Sequence, residues 1–274
     1  MNAMQRLGAQ LLRHAVLAVV AVYILSPIVL MLLASFTPTS NVTAGRFLDG
    51  LTLDNYRTVF DRVPVWSYYL HSFVVCVATL LLQFIVCIPA AYAMARLRFT
   101  GRTVSMLMLT ILMLVPFQVI AIPIYLMFRE TGLVNTYAAL VLPFVGSAFA
   151  IFLLRQFFLS IPASVFDAAK LDGAGTLQVL AEIVVPSSRP ALLALGIFTV
   201  TAAWNAYFWP SFVLTDGSVA TVPFGVVSFL GSDAGTDYGP QMAMATLSVL
   251  PLLIAFLLAQ RQFIRGLALT GQSG

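Results

Sequence analysis

The chain has 274 residues, 61% of them hydrophobic and only 9% charged, with a formal net charge of +4. A soluble domain carries about 25% charged residues, so no water-facing surface can be built from this composition. It reads as an integral membrane protein.

A membrane-crossing helix needs about 20 mainly apolar residues. In chain order, six stretches meet that need: 15–36, 68–95, 104–128, 138–159, 190–214 and 240–260. The first follows Arg6 and Arg13 as a signal peptide would. Its apolar part of about 22 residues exceeds the 7–15 of a signal core, so a retained anchor is expected. The second contains Cys76 and Cys87, eleven residues apart. That is about 16 Å along a helix, too far for a disulfide. Together with the isolated His14 and His71 they form no metal-ligand set.

The third stretch contains Val115–Pro123, which sets Gln118 between two prolines; the carbonyls freed there need neighbours or a water-lined cavity. The fifth contains Ala202–Pro210, AAWNAYFWP, which gathers Trp204, Asn205, Tyr207 and Trp209. Aromatic rings stacking on C–H faces beside an amide that bonds hydroxyls would suit a neutral polyhydroxyl ligand. An aromatic belt at the membrane interface is the competing reading. It is preferred for Trp209, near the span's end, and both readings stand for Trp204 and Asn205.

Loop charges orient the layout. With the N-terminus inside, ten of the fourteen basic residues fall on the cytoplasmic side and seven of the ten acids outside. Lys/Arg bias in short loops sets orientation, so both termini are expected in the cytoplasm. The positive balance is thus a topology signal and not a nucleic-acid footprint. No span carries a charged residue at its centre, as proton-coupled carriers do. No inverted repeat of the secondary-carrier kind is visible, and no Walker sequence for ATP. A carrier working without an ATPase and a membrane-embedded enzyme are therefore the weaker alternatives.

The longest inner loop, 160–189, has a helix–turn–helix grammar. Pro162 suits a first turn, and Ser164 with Asp167 fits a capping pattern. Asp167 and Lys170 stand at pairing distance on a helix, and Gly173 is the expected stop. A second helix over 176–184, with Leu177, Leu180, Ile183 and Val184 as one stripe, is expected to end at Pro186 and Pro190. Ala168, Ala169, Gly173, Ala174 and Gly175 would leave a face without large side chains, open to a partner's backbone. By the residues alone this is either such a docking face or a plain turn between spans.

The loop IPASVFDAAKLDGAGTLQVLAEIVVPSSRP resembles the EAA loop of ABC-transporter permeases of the binding-protein-dependent importer type. Asp167-Ala168-Ala169 takes the Glu-Ala-Ala position, Gly173 the glycine, Ile183 the apolar position, and Val185-Pro186 the final pair. Asp for Glu and Val for Leu are the departures. LTLDNYRTVF, AAYAMARLRFTGR, IPIYLMFRETGLVNTYAALVLP, AAWNAYFWP and QRQFIRGLALTGQSG extend the similarity over essentially the whole chain. They are similar to the six-span second permease of the maltose-type carbohydrate-uptake systems.

The resemblance implies an all-α, six-helix permease of the type I (MetI-like) fold in a bacterial cytoplasmic membrane. It would comprise an anchor helix and first periplasmic loop (1–66) and a five-helix core (67–274). Asp167, Ala168, Ala169, Lys170, Gly173 and Pro186 would couple to the ATPase. Gln118, Trp204, Asn205 and Tyr207 are the substrate-pathway candidates. The implied partners are a second permease, two copies of a cytoplasmic ATPase, an extracytoplasmic binding protein and membrane lipids. ATP and Mg would sit on the ATPases, with no cofactor or metal on this chain. A sugar or related polyol is the expected cargo, with amino sugars and glycerophospho compounds as alternatives.

Overall fold

The computed structural model describes residues 3–231 and 235–270, with side chains defined over 10–231 and 235–257. Among the described residues there are helices and turns and no strand. In order they are α1 (Ala3–Ser35), α2 (Thr39–Thr43), α3 (Asp54–Arg62), α4 (Val65–Arg96) and α5 (Arg102–Leu114). There follow α6 (Phe117–Glu130), α7 (Tyr137–Val145), α8 (Ala148–Ser160), α9 (Ala163–Leu171) and α10 (Thr176–Val179). After a π-turn over Leu180–Val184 come α11 (Val185–Ser187), α12 (Arg189–Trp204), α13 (Phe208–Val213), α14 (Val222–Val227) and α15 (Tyr238–Thr270).

Three helices are long and apolar enough to cross a membrane alone, and three bent pairs raise that number to six. These correspond to the expected stretches with one difference: the pair that contains the fifth, Thr176–Ser187 with Arg189–Trp204, takes in the end of the 160–189 loop. The third is α5 and α6, bent by 97°. Val115, ahead of Pro116, is extended at φ −80° and ψ 116°, because a residue before proline is pushed out of the helical region. The fourth is α7 and α8, bent by 43°, with the Ser147 hydroxyl capping α8 by accepting from the Ala150 amide. The fifth helix stops at Trp204 instead of running to 214, and Asn205 is its C-cap.

Prolines inside helices leave carbonyls without a partner four residues earlier, and at Pro27 and Pro143 a side chain fills the vacancy. Ser26 donates to the Tyr23 carbonyl freed by Pro27. The Trp209 indole donates at 2.8 Å to the Ala139 carbonyl freed by Pro143. Trp209 is 2% exposed and sits edge-on to Phe117 and Phe128. The interfacial-belt expectation for Trp209 is thereby corrected: the break after Trp204 turns this ring inward, where its N–H has a carbonyl to satisfy.

Contacts group the chain into two units, residues 1–65 with 225–258 and residues 66–224 with 259–274. In the first, Asn55 donates at 2.9 Å to both the Ser35 and Thr37 carbonyls, closing the end of α1. Gly239 lies against the Asn55 amide so closely that an added methyl would meet its oxygen at 2.6 Å. Thr39 donates to Asp237 at 2.6 Å and accepts from the Gly239 amide. In the second unit, one core gathers Leu154, Phe158, Val184 and Leu195, all under 2% exposed. A second core surrounds Trp209 and Val213.

Candidate functional site

The loop after α8 folds into two short helices joined at Gly173. Helix α9 starts at Ala163 with Pro162 as its N-cap and no side-chain capping bond. The expected Ser164–Asp167 box is thus not formed, because the helix begins one residue before Ser164. Asp167 and Lys170 do pair, at 3.7 Å on an exposed surface, where such pairs are worth little. The helix ends in a Schellman turn. The Ala174 amide reaches the Ala169 carbonyl (2.9 Å), and the Gly173 amide reaches Lys170 (3.1 Å). Gly173 sits at φ +76°, a conformation that costs other residues about 1–2 kcal/mol.

The second loop helix differs from expectation. It does not end at Pro186: after α10 the turn widens over Leu180–Val184 and the helix continues to Ser187. A normal turn would drive the Pro186 ring into the Glu182 carbonyl, and the wider π-turn removes that conflict. The chain then bends by 79° at Ser188 into α12. The expected stripe is split, since Leu180 and Val184 are buried while Leu177 is 81% exposed.

These details define two faces of the loop. Phe166 and Ala169 are buried in the core and root α9. Ala169 is therefore an inward residue, whereas Asp167, Ala168, Lys170, Gly173 and Pro186 are exposed. The outer face is not bare as expected. Leu171 is 90% exposed, and with Leu177 it brackets the Gly173 turn. The signal for Leu171 was in the sequence: it follows buried Ala169 by two residues, about 200° round a helix.

Within the second unit a cavity of about 480 Å³ opens among α4, α7, α8 and α12. Val75, Thr79 and Gln83, one turn apart on α4, line it together with Phe144, Phe149 and Phe198. The Thr199 hydroxyl donates to the Gln83 amide oxygen at 2.5 Å, and the Gln83 nitrogen donates to the Phe144 carbonyl at 2.9 Å. That carbonyl stands at the α7–α8 break, where the helix no longer supplies a donor. The buried hydroxyls of Thr79 and Thr221, which also line the cavity, have no partner among the described residues. Among the described residues no charged side chain lines it.

The pathway candidates expected from the sequence do not line this cavity. Trp204 is buried and stacked on Tyr69 at 6.2 Å. Asn205 is exposed and donates to the Thr201 carbonyl, closing α12. Tyr207 packs on Phe224 at 5.5 Å, and Gln118 is exposed near the α5–α6 bend. Ala203 and Ala206, beside Trp204 and Asn205, do reach the cavity wall. Nothing in the sequence pairs Gln83 with Thr199, because 116 residues separate them.

Comparison with known proteins places this geometry. Residues 87–268 match the family described as binding-protein-dependent transport system inner membrane component. The arabinooligosaccharides transport system permease protein AraQ of Halalkalibacterium halodurans is 30% identical over 95% of this chain and 94% of its own length. The lactose transport system permease protein LacG of Rhizobium radiobacter is 32% identical over 97% and 98%. The sn-glycerol-3-phosphate transport system permease protein UgpE of Salmonella typhi is 30% identical over 96% and 97%. A subunit in the crystal structure of a bacterial ABC transporter that imports the acidic polysaccharide alginate shares the fold. Its TM-score is 0.82 at 24% identity, covering 96% of this chain and 99% of that one. The chain belongs to the family of inner-membrane components of binding-protein-dependent transport systems. It is a permease of an ABC importer, resident in the bacterial inner membrane, and works with a binding protein and other subunits of that transporter.

Proposed function

We propose that the chain is one of two different permeases in an importer of a neutral sugar or polyol, driven by two cytoplasmic ATPases. The observation that carries the cargo class is a cavity that, among the described residues, is lined by phenylalanine rings, hydroxyls and an amide and by no charged group. Its volume falls within the roughly 300–1,000 Å³ of small-ligand sites. The unpartnered hydroxyls of Thr79 and Thr221 would bond sugar hydroxyls, and the phenylalanines would face its C–H surfaces. An anionic cargo such as a glycerophosphate would leave its charge uncompensated here, so neutral sugars are favoured over that alternative. Asn205 and Tyr207 extend the path beyond Ala203 and Ala206, and Trp204 braces it.

In this reading the 160–189 loop lies in the cytoplasm. Its exposed face of Asp167, Ala168, Lys170, Leu171, Gly173 and Leu177 seats in the ATPase, with Ala169 holding the helix from within and Pro186 shaping its exit. Nucleotide and Mg are held by the ATPase, and this chain supplies no nucleotide site. The test is reconstitution of the chain with its partner permease, ATPase and binding protein in liposomes. ATP-dependent uptake of the neutral sugar that the binding protein selects is expected. Uptake confined to anionic cargo, or uptake without ATP, would overturn the reading.

A further inference from the structure

At the base of the loop, α4, α8 and α9 converge on one side chain. Arg96, the last residue of α4, donates through Nη2 to the Phe158 carbonyl at 2.6 Å, the Leu159 carbonyl at 3.4 Å and the Ile161 carbonyl. These are the carbonyls at the end of α8 and in the link to α9. The same guanidinium lies 4.3 Å above the ring of Phe166, the residue that roots α9. Its Nε is buried with no partner, so its pose is held by the three carbonyls and the ring. The reciprocal end is closed too. Arg102 donates to the Met94 and Ala95 carbonyls, and Arg155 to Met94.

No carboxylate takes part, since the ion pairs among the described residues lie elsewhere. The positive charges are met by the negative ends of two helix dipoles. A planar fork with several donors and a stackable face suits this task, and an ammonium does not.

Helix α4 carries Val75, Thr79 and Gln83 on the cavity wall and Arg96 at its other end. We infer that Arg96 is the positioning residue that fastens the loop helix to α4, so that motion imposed on the loop reaches the cavity wall through this guanidinium. This rests on the ATP-driven reading above. The fastening acts by making α4, the end of α8 and α9 move as one body, while the wide turn at Leu180–Val184 lets the far side of the loop change angle.

The experiment compares wild type, Arg96→Gln, Arg96→Lys and Phe166→Leu in the reconstituted complex. The measured quantity is substrate imported per ATP hydrolysed, with co-purified ATPase as the assembly control. Arg96→Gln is expected to lower that ratio on the order of tenfold, the factor set by losing a charge-assisted contact. Arg96→Lys and Phe166→Leu should fall between it and wild type. In a cysteine-free background, spin labels at the exposed positions Val86 on α4 and Val165 on α9 report the fastening directly. Their distance should be the same with and without ATP in the otherwise unchanged protein and should spread in Arg96→Gln. A wild-type ratio in both Arg96→Gln and Phe166→Leu would overturn the inference. So would a label distance that changes on ATP binding with Arg96 present. If Arg96→Gln does not assemble, Phe166→Leu and the label distance decide. Wild-type complex without any ATP-driven uptake would instead refute the transport reading itself.

Discussion

The Thr199 hydroxyl donates a hydrogen bond to the Gln83 amide oxygen at 2.5 Å, and the Gln83 amide nitrogen donates to the open carbonyl of Phe144 at 2.9 Å. Three helices are joined by these two bonds, and the middle member is 6% exposed. Removing one partner of a buried polar pair strands the other, which costs about 1–3 kcal/mol. Gln83→Leu should therefore lower the thermal midpoint of the solubilised protein more than Thr199→Val, because it also strands the Phe144 carbonyl. Equal midpoints for the two variants, read by differential scanning fluorimetry, would contradict the relay.

The hydroxyls of Thr79 and Thr221 make the opposite case. Each is 3% exposed and unpartnered, so exchanging it for an isosteric methyl leaves nothing stranded. Thr79→Val and Thr221→Val should keep or slightly raise thermal stability. Uptake should need a substrate concentration higher by about tenfold per lost hydrogen bond. Transport kinetics identical to wild type in both variants would remove these hydroxyls from the path.

Gly173 separates a turn from a docking surface. An added methyl meets nothing within 4 Å in this chain, so the cost of replacement within the protein is the strain of φ +76° alone. Asparagine tolerates that conformation and valine does not. If the glycine also lets a partner approach, Gly173→Asn will uncouple ATP hydrolysis from uptake as Gly173→Val does. Wild-type coupling in the asparagine variant would confine Gly173 to making the turn.

Much of this was legible beforehand, for identifiable reasons. The six spans follow from runs of apolar residues, and the stop at Gly173 from the one residue type that fits a left-handed cap. The breaks inside spans were harder to see. Pro116 splits its span while Pro27, Pro89 and Pro123 sit inside intact helices, and sequence alone does not say which carbonyls find substitutes. Trp209 was misjudged for the same reason: its partner carbonyl lies 70 residues away. The capping box failed on two residues of register, since the N-cap is Pro162 and not Ser164. The cavity wall was illegible because it is assembled from helices remote in sequence.

Gly239 has no such freedom. A methyl there would press on an Asn55 amide already held by two carbonyls, and overpacking of that kind costs about 1–3 kcal/mol. Gly239→Ala should lower the thermal midpoint. Adding Asn55→Ser should recover part of that loss by making room, although Asn55→Ser alone is destabilising. Strictly additive losses, measured by the same unfolding assay, would show that the two residues do not collide.

Leu171 and Leu177 carry one more consequence. If the proposed ATPase covers them, a freshly made copy that has not met it holds two nearly bare leucines at a glycine turn, the kind of exposed apolar patch that cellular quality control acts upon. The abundance of this subunit is then set by its partner's supply as well as by its own synthesis. A pulse–chase in cells lacking the ATPase should show a shortened lifetime, restored when both leucines are changed to serine.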